Sequence, residues 1–257
     1  MRHILSASCL LALGLAVANC GGTPAPPPAQ HATPGKRVDP TTVGTIAGRV
    51  TFEGARPVLE SIRMNADASC VQAAGPTAPN ESAVIAADGG LQNVFVYIKD
   101  DFNDYTFDPP AGPVKIDQRG CRYLPHVLGA RVGQSIEVLN SDPTIHNVHA
   151  IPMKNQEFNE GQPIQGMTAT AVFTAPEVMV RFKCDVHGWM NAYVGVLAHP
   201  FFAVSKADGT FSIEGIPAGT YTVEAWHEKF GTETQKVTVV AGTTMPAAFT
   251  FSATPRK

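Results

Sequence analysis

From Gly44 onward the chain alternates apolar and polar positions in short runs of period two, cut by Gly, Pro, Asn and Asp. No segment sustains the 3.6-residue period of an amphipathic helix. The stretch 45–52 alternates and stops at Glu53-Gly54, and 91–98 is a mostly apolar run after the turn Asp88-Gly89-Gly90. Another stretch, 135–139, follows Gly133, and 148–151 resumes after the break Asn140-Ser141-Asp142-Pro143. Further on, Val178, Val180, Phe182 and Cys184 fall on one face of a strand and Met179, Arg181 and Lys183 on the other, before a strand over 192–197. Beyond His199-Pro200 a turn–strand–turn–strand series covers 207–213 and 216–225, closed by 237–240 and 248–251. The pattern predicts an all-β chain without internal repeats.

Composition narrows the class. A length of 257 residues suits one large or two small domains, and 44% apolar against 16% charged residues describes a folded chain. The 23 Gly and 21 Pro fit many turns. A formal charge of −3 with no Lys/Arg cluster leaves no electrostatic footprint for nucleic acid, so no such partner is expected.

The N-terminus reads as an address. Arg2 and His3 precede an apolar stretch over 4–17, which suits a secretory signal and is too short to span a bilayer. Ala16-Val17-Ala18 fits an ordinary cleavage site, whereas Val17-Ala18-Asn19-Cys20 resembles a bacterial lipobox whose Cys20 is acylated. The Pro-rich run Gly21-Gly22-Thr23-Pro24-Ala25-Pro26-Pro27-Pro28 favours the lipoprotein reading. The expected organisation is a signal over 1–19, a lipid-anchored tether over 20–44 and folded β domains over 45–198 and 199–257. The anchor places the protein on the cell envelope, facing the periplasm or the exterior, and Gly21 after Cys20 favours an outer membrane.

Five cysteines sort accordingly. Cys9 leaves with the signal, and Cys20 is the lipid site. In an oxidising compartment Cys70 and Cys121 are natural disulfide partners, and closing 51 residues stabilises a fold by about 4 kcal/mol; two free buried thiols are the alternative. Cys184 is left over, and a lone exported thiol needs an occupation.

That occupation is suggested by Cys184-Asp185-Val186-His187-Gly188-Trp189-Met190, a Cys-x-x-His-x-x-Met loop at a strand end, with His146-Asn147-Val148-His149 upstream. One thiolate, two imidazoles and a thioether are the donor set of a blue-copper site, a His₂Cys plane with a weak axial Met. His146 and His149 face opposite sides of an extended strand, so one of them meets Cys184, and His146, at the loop–strand junction, is the better ligand. A free buried Cys beside surface histidines and a Cys/His zinc site are the competing readings. His126, His199 and His227, with His149, are the candidates for a second site, although they lie on separate segments without ligand spacing.

With Gly133-Gln134-Ser135-Ile136-Glu137-Val138-Leu139-Asn140, these motifs resemble the cupredoxins, and the two-residue gaps in the loop are similar to those of the amicyanin branch. The resemblance covers roughly 133–197. It implies a Greek-key β-sandwich with one type 1 copper on His146, Cys184, His187 and Met190, and an Asn147 amide hydrogen-bonded to the Cys sulfur. His187 would be the exposed electron exit, with Trp189 either shaping a docking rim or filling core. The series beyond 199 resembles the carboxypeptidase regulatory-like (transthyretin-like) β-sandwich and is short enough to borrow the strand at 45–52. The expected function is single-electron transfer with redox proteins such as a c-type cytochrome or a membrane oxidoreductase. Copper delivery, or a structural module with a non-functional site, are the rivals. No nucleotide-binding or hydrolase fingerprint is present, so no enzyme is expected.

Overall fold

The computed structural model describes residues 35–253. Cys9, Cys20, the signal and most of the tether lie outside them. In chain order the principal strands are β1 (Val43–Glu53), β2 (Phe95–Ile98), β3 (Val114–Gln118), β4 (Tyr123–Leu124), β5 (Val127–Arg131), β6 (Ser135–Asn140), β7 (His146–Ile151) and β8 (Phe158–Gln162). They continue as β9 (Thr168–Val172), β10 (Glu177–Lys183), β11 (Asn191–Leu197), β12 (Phe202–Val204), β13 (Thr210–Pro217), β14 (Gly219–His227), β15 (Gly231–Val239) and β16 (Thr244–Ser252). A short helix, α1 (Ala68–Ala74), interrupts the all-β pattern.

Two β-sandwiches result. The first packs a four-stranded sheet, ordered β9-β6-β3-β4, against a five-stranded one, ordered β8-β7-β10-β11-β5. Its core joins Ile116, Ile136, Val138, Ala169 and Ala171 of one sheet to Val148, Ala150, Val180, Phe182, Ala192, Val194 and Val196 of the other. These are the inward positions of alternating strands, as the period-two pattern requires. The second sandwich packs β12-β2-β14-β15 against β13-β1-β16 around Ile46, Val50, Val96, Ile98, Phe211, Ile213, Val223 and Phe249.

The chain does not divide at residue 198. β1 lies between β13 and β16, and β2 between β12 and β14, so the first sandwich does not run unbroken over 45–198. The apolar run at 91–98 is buried because it is an inner strand of the second sandwich, a pairing that local pattern does not reveal. The ordered region also begins before 45: Lys36 and Arg37 pair with Tyr105 and Thr106, and Gly44 already pairs with Ile216.

The sandwiches meet through Phe95, Tyr97, Val127 and Leu197, flanked by Tyr193, Phe202 and Trp226. Two glycines allow this close approach: a Cβ on Gly129 would sit 2.2 Å from the Phe202 ring, and one on Gly195 would sit 2.4 Å from the Phe95 ring. One expected face differs. Val180, Phe182 and Cys184 point into the core as read, but a register shift between Glu177 and Val180 turns Val178 into this inter-sandwich cluster with Met179.

Candidate metal centre

His146 opens β7, and the loop before it is set by Asn140. The Asn140 amide donates to the carbonyls of Thr144 (2.9 Å) and Gln162 (3.0 Å), and its Oδ1 accepts from the Asp142 N–H at 3.0 Å. β10 ends at Lys183, and the loop over 184–190 folds back on itself. Met190 N–H donates to His187 O (2.9 Å), Cys184 N–H to Met190 O (3.3 Å), and His187 N–H to the Cys184 sulfur (3.4 Å).

Three of the four ligand positions expected from the sequence, His146, Cys184 and His187, converge in the interior, and Met190 joins them through its backbone bonds to Cys184 and His187. His146, Cys184, His187 and Met190 are all buried, and Met190 shares the core cluster of Cys184. Cys184 Sγ lies 3.9 Å from His146 Nδ1 and 3.8 Å from His187 Nδ1, and the two Nδ1 atoms are 3.0 Å apart. A point equidistant from these three atoms is roughly 2.1 Å from each, within the bond lengths of thiolate and imidazole to a first-row metal ion. The donor set therefore fits such an ion without rearrangement.

Both outer nitrogens are occupied. His146 Nε2 is 3.1 Å from Asp142 Oδ2, and His187 Nε2 is 3.0 Å from Asp67 Oδ2. A donor N–H at Nε2 leaves the Nδ1 lone pair for the metal, so the carboxylates select the ligating tautomer. Neither aspartate stood out in the sequence. Asp67 is 120 residues from its partner, and Asp142 sat in what read only as a turn.

Electrostatics follow from these contacts. Burial pushes the Cys184 thiol up, but hydrogen bonds with His146 and His187 and the amides of Asn147 and His187 outweigh it and bring the pKa down to about 6. The Asn147 amide contributes to that lowering, and its side-chain carbonyl accepts from Asp185 N–H at 2.5 Å. Burial lowers His146, yet Asp142 and the thiolate raise it to about 8. His187 is raised likewise, against its own burial, by Cys184 and Asp67. Asp67 is held down to about 2, chiefly by His187.

One expectation is overturned. His187 is not an exposed edge: it is 2% accessible, because α1 and its N-cap Asp67 cover the ring. A seven-residue helix with an Asp cap and a Gly stop is too short to register as periodicity. Trp189 is half-buried, packs on His187 with 5.1 Å between centroids, and donates to Cys121 O at 3.0 Å.

Cys70 and Cys121 form the expected disulfide, with Cα atoms 5.6 Å apart, and Cys184 is the free cysteine among the described residues. His149 faces away from Cys184 and pairs with Asp185 (2.8 Å) and Glu157 (2.5 Å). The other histidines stay apart. His126 pairs with Glu228, His199 packs on Phe102 and His227 stacks on Phe230; burial pushes His199 and His227 down to about 4. Among the described residues, every group of three or more candidate metal-binding side chains includes His146 or His187.

Comparison with known proteins adds two findings. The family model of the carboxypeptidase regulatory-like domain matches residues 190–252, which spans β11 to β16. Similar solved structures include a copper-containing nitrite reductase from Thermus scotoductus SA-01 (TM-score 0.31, 23% identity, 35% of this chain). This chain covers 23% of that reductase's length. A purple cupredoxin from Nitrosopumilus maritimus is similar at TM-score 0.29 and 22% identity, over 32% of this chain and 98% of that one. Amicyanin from Paracoccus versutus is similar at TM-score 0.30 and 22% identity, over 35% and 85% of the two chains. No curated protein matches.

Proposed function

We propose that this protein is an exported, lipid-tethered electron carrier in which His146, Cys184, His187 and Met190 would hold one type 1 copper. The observation that carries the reading is the buried triangle of one sulfur and two Nδ1 atoms, each imidazole carrying a carboxylate on its other nitrogen. Bound copper would supply a one-electron couple. Soft sulfur donors suit Cu(I) and imidazole suits both states, so a rigid mixed set holds either with little rearrangement. The loop over 184–190, closed by its own hydrogen bonds, supplies that rigidity. Partners would be a c-type cytochrome or a membrane oxidoreductase, within reach of a head tethered at Cys20, and the protein would act as a carrier, not a catalyst.

Adding Cu(II) to the full exported chain tests this. One equivalent should give an intense visible thiolate-to-copper band with narrow copper hyperfine splitting. Cys184→Ala should abolish the band, whereas His149→Ala should leave it. Colour surviving without Cys184, or lost without His149, overturns the ligand set. Ready transfer of the copper to a metal-free acceptor, in place of redox cycling, would favour delivery.

A further inference from the structure

The two carboxylates behind the imidazoles share one anchor. Asp67 caps α1: its Oδ1 accepts from the Ser69 and Cys70 amides (2.7 and 3.3 Å), and its Oδ2 from Thr144 Oγ1 and His187 Nε2 (3.0 Å each). Asp142, on the far side, accepts from the consecutive amides of Gly120 (2.7 Å) and Cys121 (2.8 Å). Gly120 and Cys121 both have positive φ, 61° and 50°, and this turn presents their consecutive amides to the one carboxylate. The Cys70–Cys121 bond joins the two supports directly, and Cys70 Sγ lies 3.5 Å from His187 Nε2. One covalent link therefore sits between the residue three positions after Asp67 and the residue whose amide holds Asp142.

We propose that Asp67 and Asp142 are positioning residues that bias the copper centre toward its oxidised state, and that the Cys70–Cys121 bridge holds the pair in place. The inference rests on the copper reading above. A carboxylate accepting from Nε2–H makes the imidazole a stronger donor at Nδ1 and adds negative charge near the metal, screened by water only as far as the carboxylate is exposed. Both effects favour Cu(II), the more highly charged ion, over Cu(I). Asp142 is buried, whereas the Asp67 side chain is 22% exposed, so its charge is the more screened of the two.

The decisive variant is Asp67→Asn, because Asn caps helices as well as Asp, while it removes the charge and replaces the oxygen that accepts from His187 Nε2–H with an amide donor. Its reduction potential should rise. Outer-shell partners are worth 10-fold or more in metal affinity. If that loss falls on Cu(II) alone, the shift is about 59 mV or more for one electron. Asp142→Asn should shift the same way, and the Cys70→Ala/Cys121→Ala double variant should do so with both aspartates intact. An unmoved potential in Asp67→Asn, with copper stoichiometry and thermal midpoint at wild-type values, overturns the proposal and assigns Asp67 to helix capping. Failure of the copper reading looks different: wild type itself would show no Cys184-dependent band. The imidazole ¹⁵N–¹H spectrum of the copper-free protein then still decides whether Asp67 holds the ring. A slowly exchanging His187 Nε2–H should be present in wild type and lost in Asp67→Ala; its presence in both would overturn the positioning role.

Discussion

A thiol at the centre of this site is defined less by its type than by its neighbours. Cys184 is buried, which opposes ionisation, yet four hydrogen-bonding groups around it win and place its pKa near 6. In the metal-free protein the thiolate absorbance at 240 nm, taken as a difference from Cys184→Ser, should appear with a midpoint near pH 6. A midpoint at the ordinary thiol value of about 8.5 would mean that the imidazoles do not hold it. Copper uptake should follow with a definite sign. Because His146 is raised to about 8, copper must displace a proton from that ring below pH 8, so apparent affinity falls as pH falls. Below pH 6 the thiol proton adds, and the fall steepens. Isothermal titration across pH 5–9 measures both slopes. The proposed ligands were legible in the sequence because three sit within seven residues and strand alternation selects His146 over His149. Asp67 and Asp142 were not, since a carboxylate that touches a ligand only through the fold leaves no spacing to read.

At the level of elements, alternation located strands well because each sandwich buries one face of every sheet. It failed where geometry is set from outside the strand, as at the register shift before Val180 and at α1, which owes its place to a cap and a disulfide. The contact between sandwiches is of the same kind. Gly195 sits in β11, and the Phe95 ring above it is pinned by Tyr97 and Phe202, each with centroids 5.5 Å away, so the ring cannot yield to a methyl group. Gly195→Ala should cost about 1–3 kcal/mol by overpacking, read as a lowered urea midpoint. Gly112→Ala, where a new Cβ meets nothing within 4 Å and φ is unstrained, should stay within about 0.5 kcal/mol. Equal midpoints for the two variants would show that the packed interface contributes little.

The whole molecule is two sandwiches that interpenetrate in sequence. The excursion between β1 and β2 leaves the second sandwich, sends Met64, Cys70 and Ala78 into the core of the first, lays Asp67 on His187 and returns. The second sandwich therefore holds both ends of the segment that completes the metal pocket. Reading the domains as consecutive missed this, because a strand's pairing partner can lie 199 residues away, as Glu53 and Ser252 do, and nothing local marks it. A consequence can be measured. Removing residues 199–257 deletes no proposed ligand, yet it takes away β13 and β16 from β1 and β12 and β14 from β2, exposing Ile46, Val50, Phe52, Val96 and Ile98. Unpaired edges carrying those side chains invite cleavage and association. The truncated chain should be cut by protease within 43–98 and should lose the Cys184-dependent copper band, although His146, Cys184, His187 and Met190 all remain. A soluble, protease-resistant truncation that still takes up copper with that band would show that the first sandwich forms its metal pocket without the platform of the second.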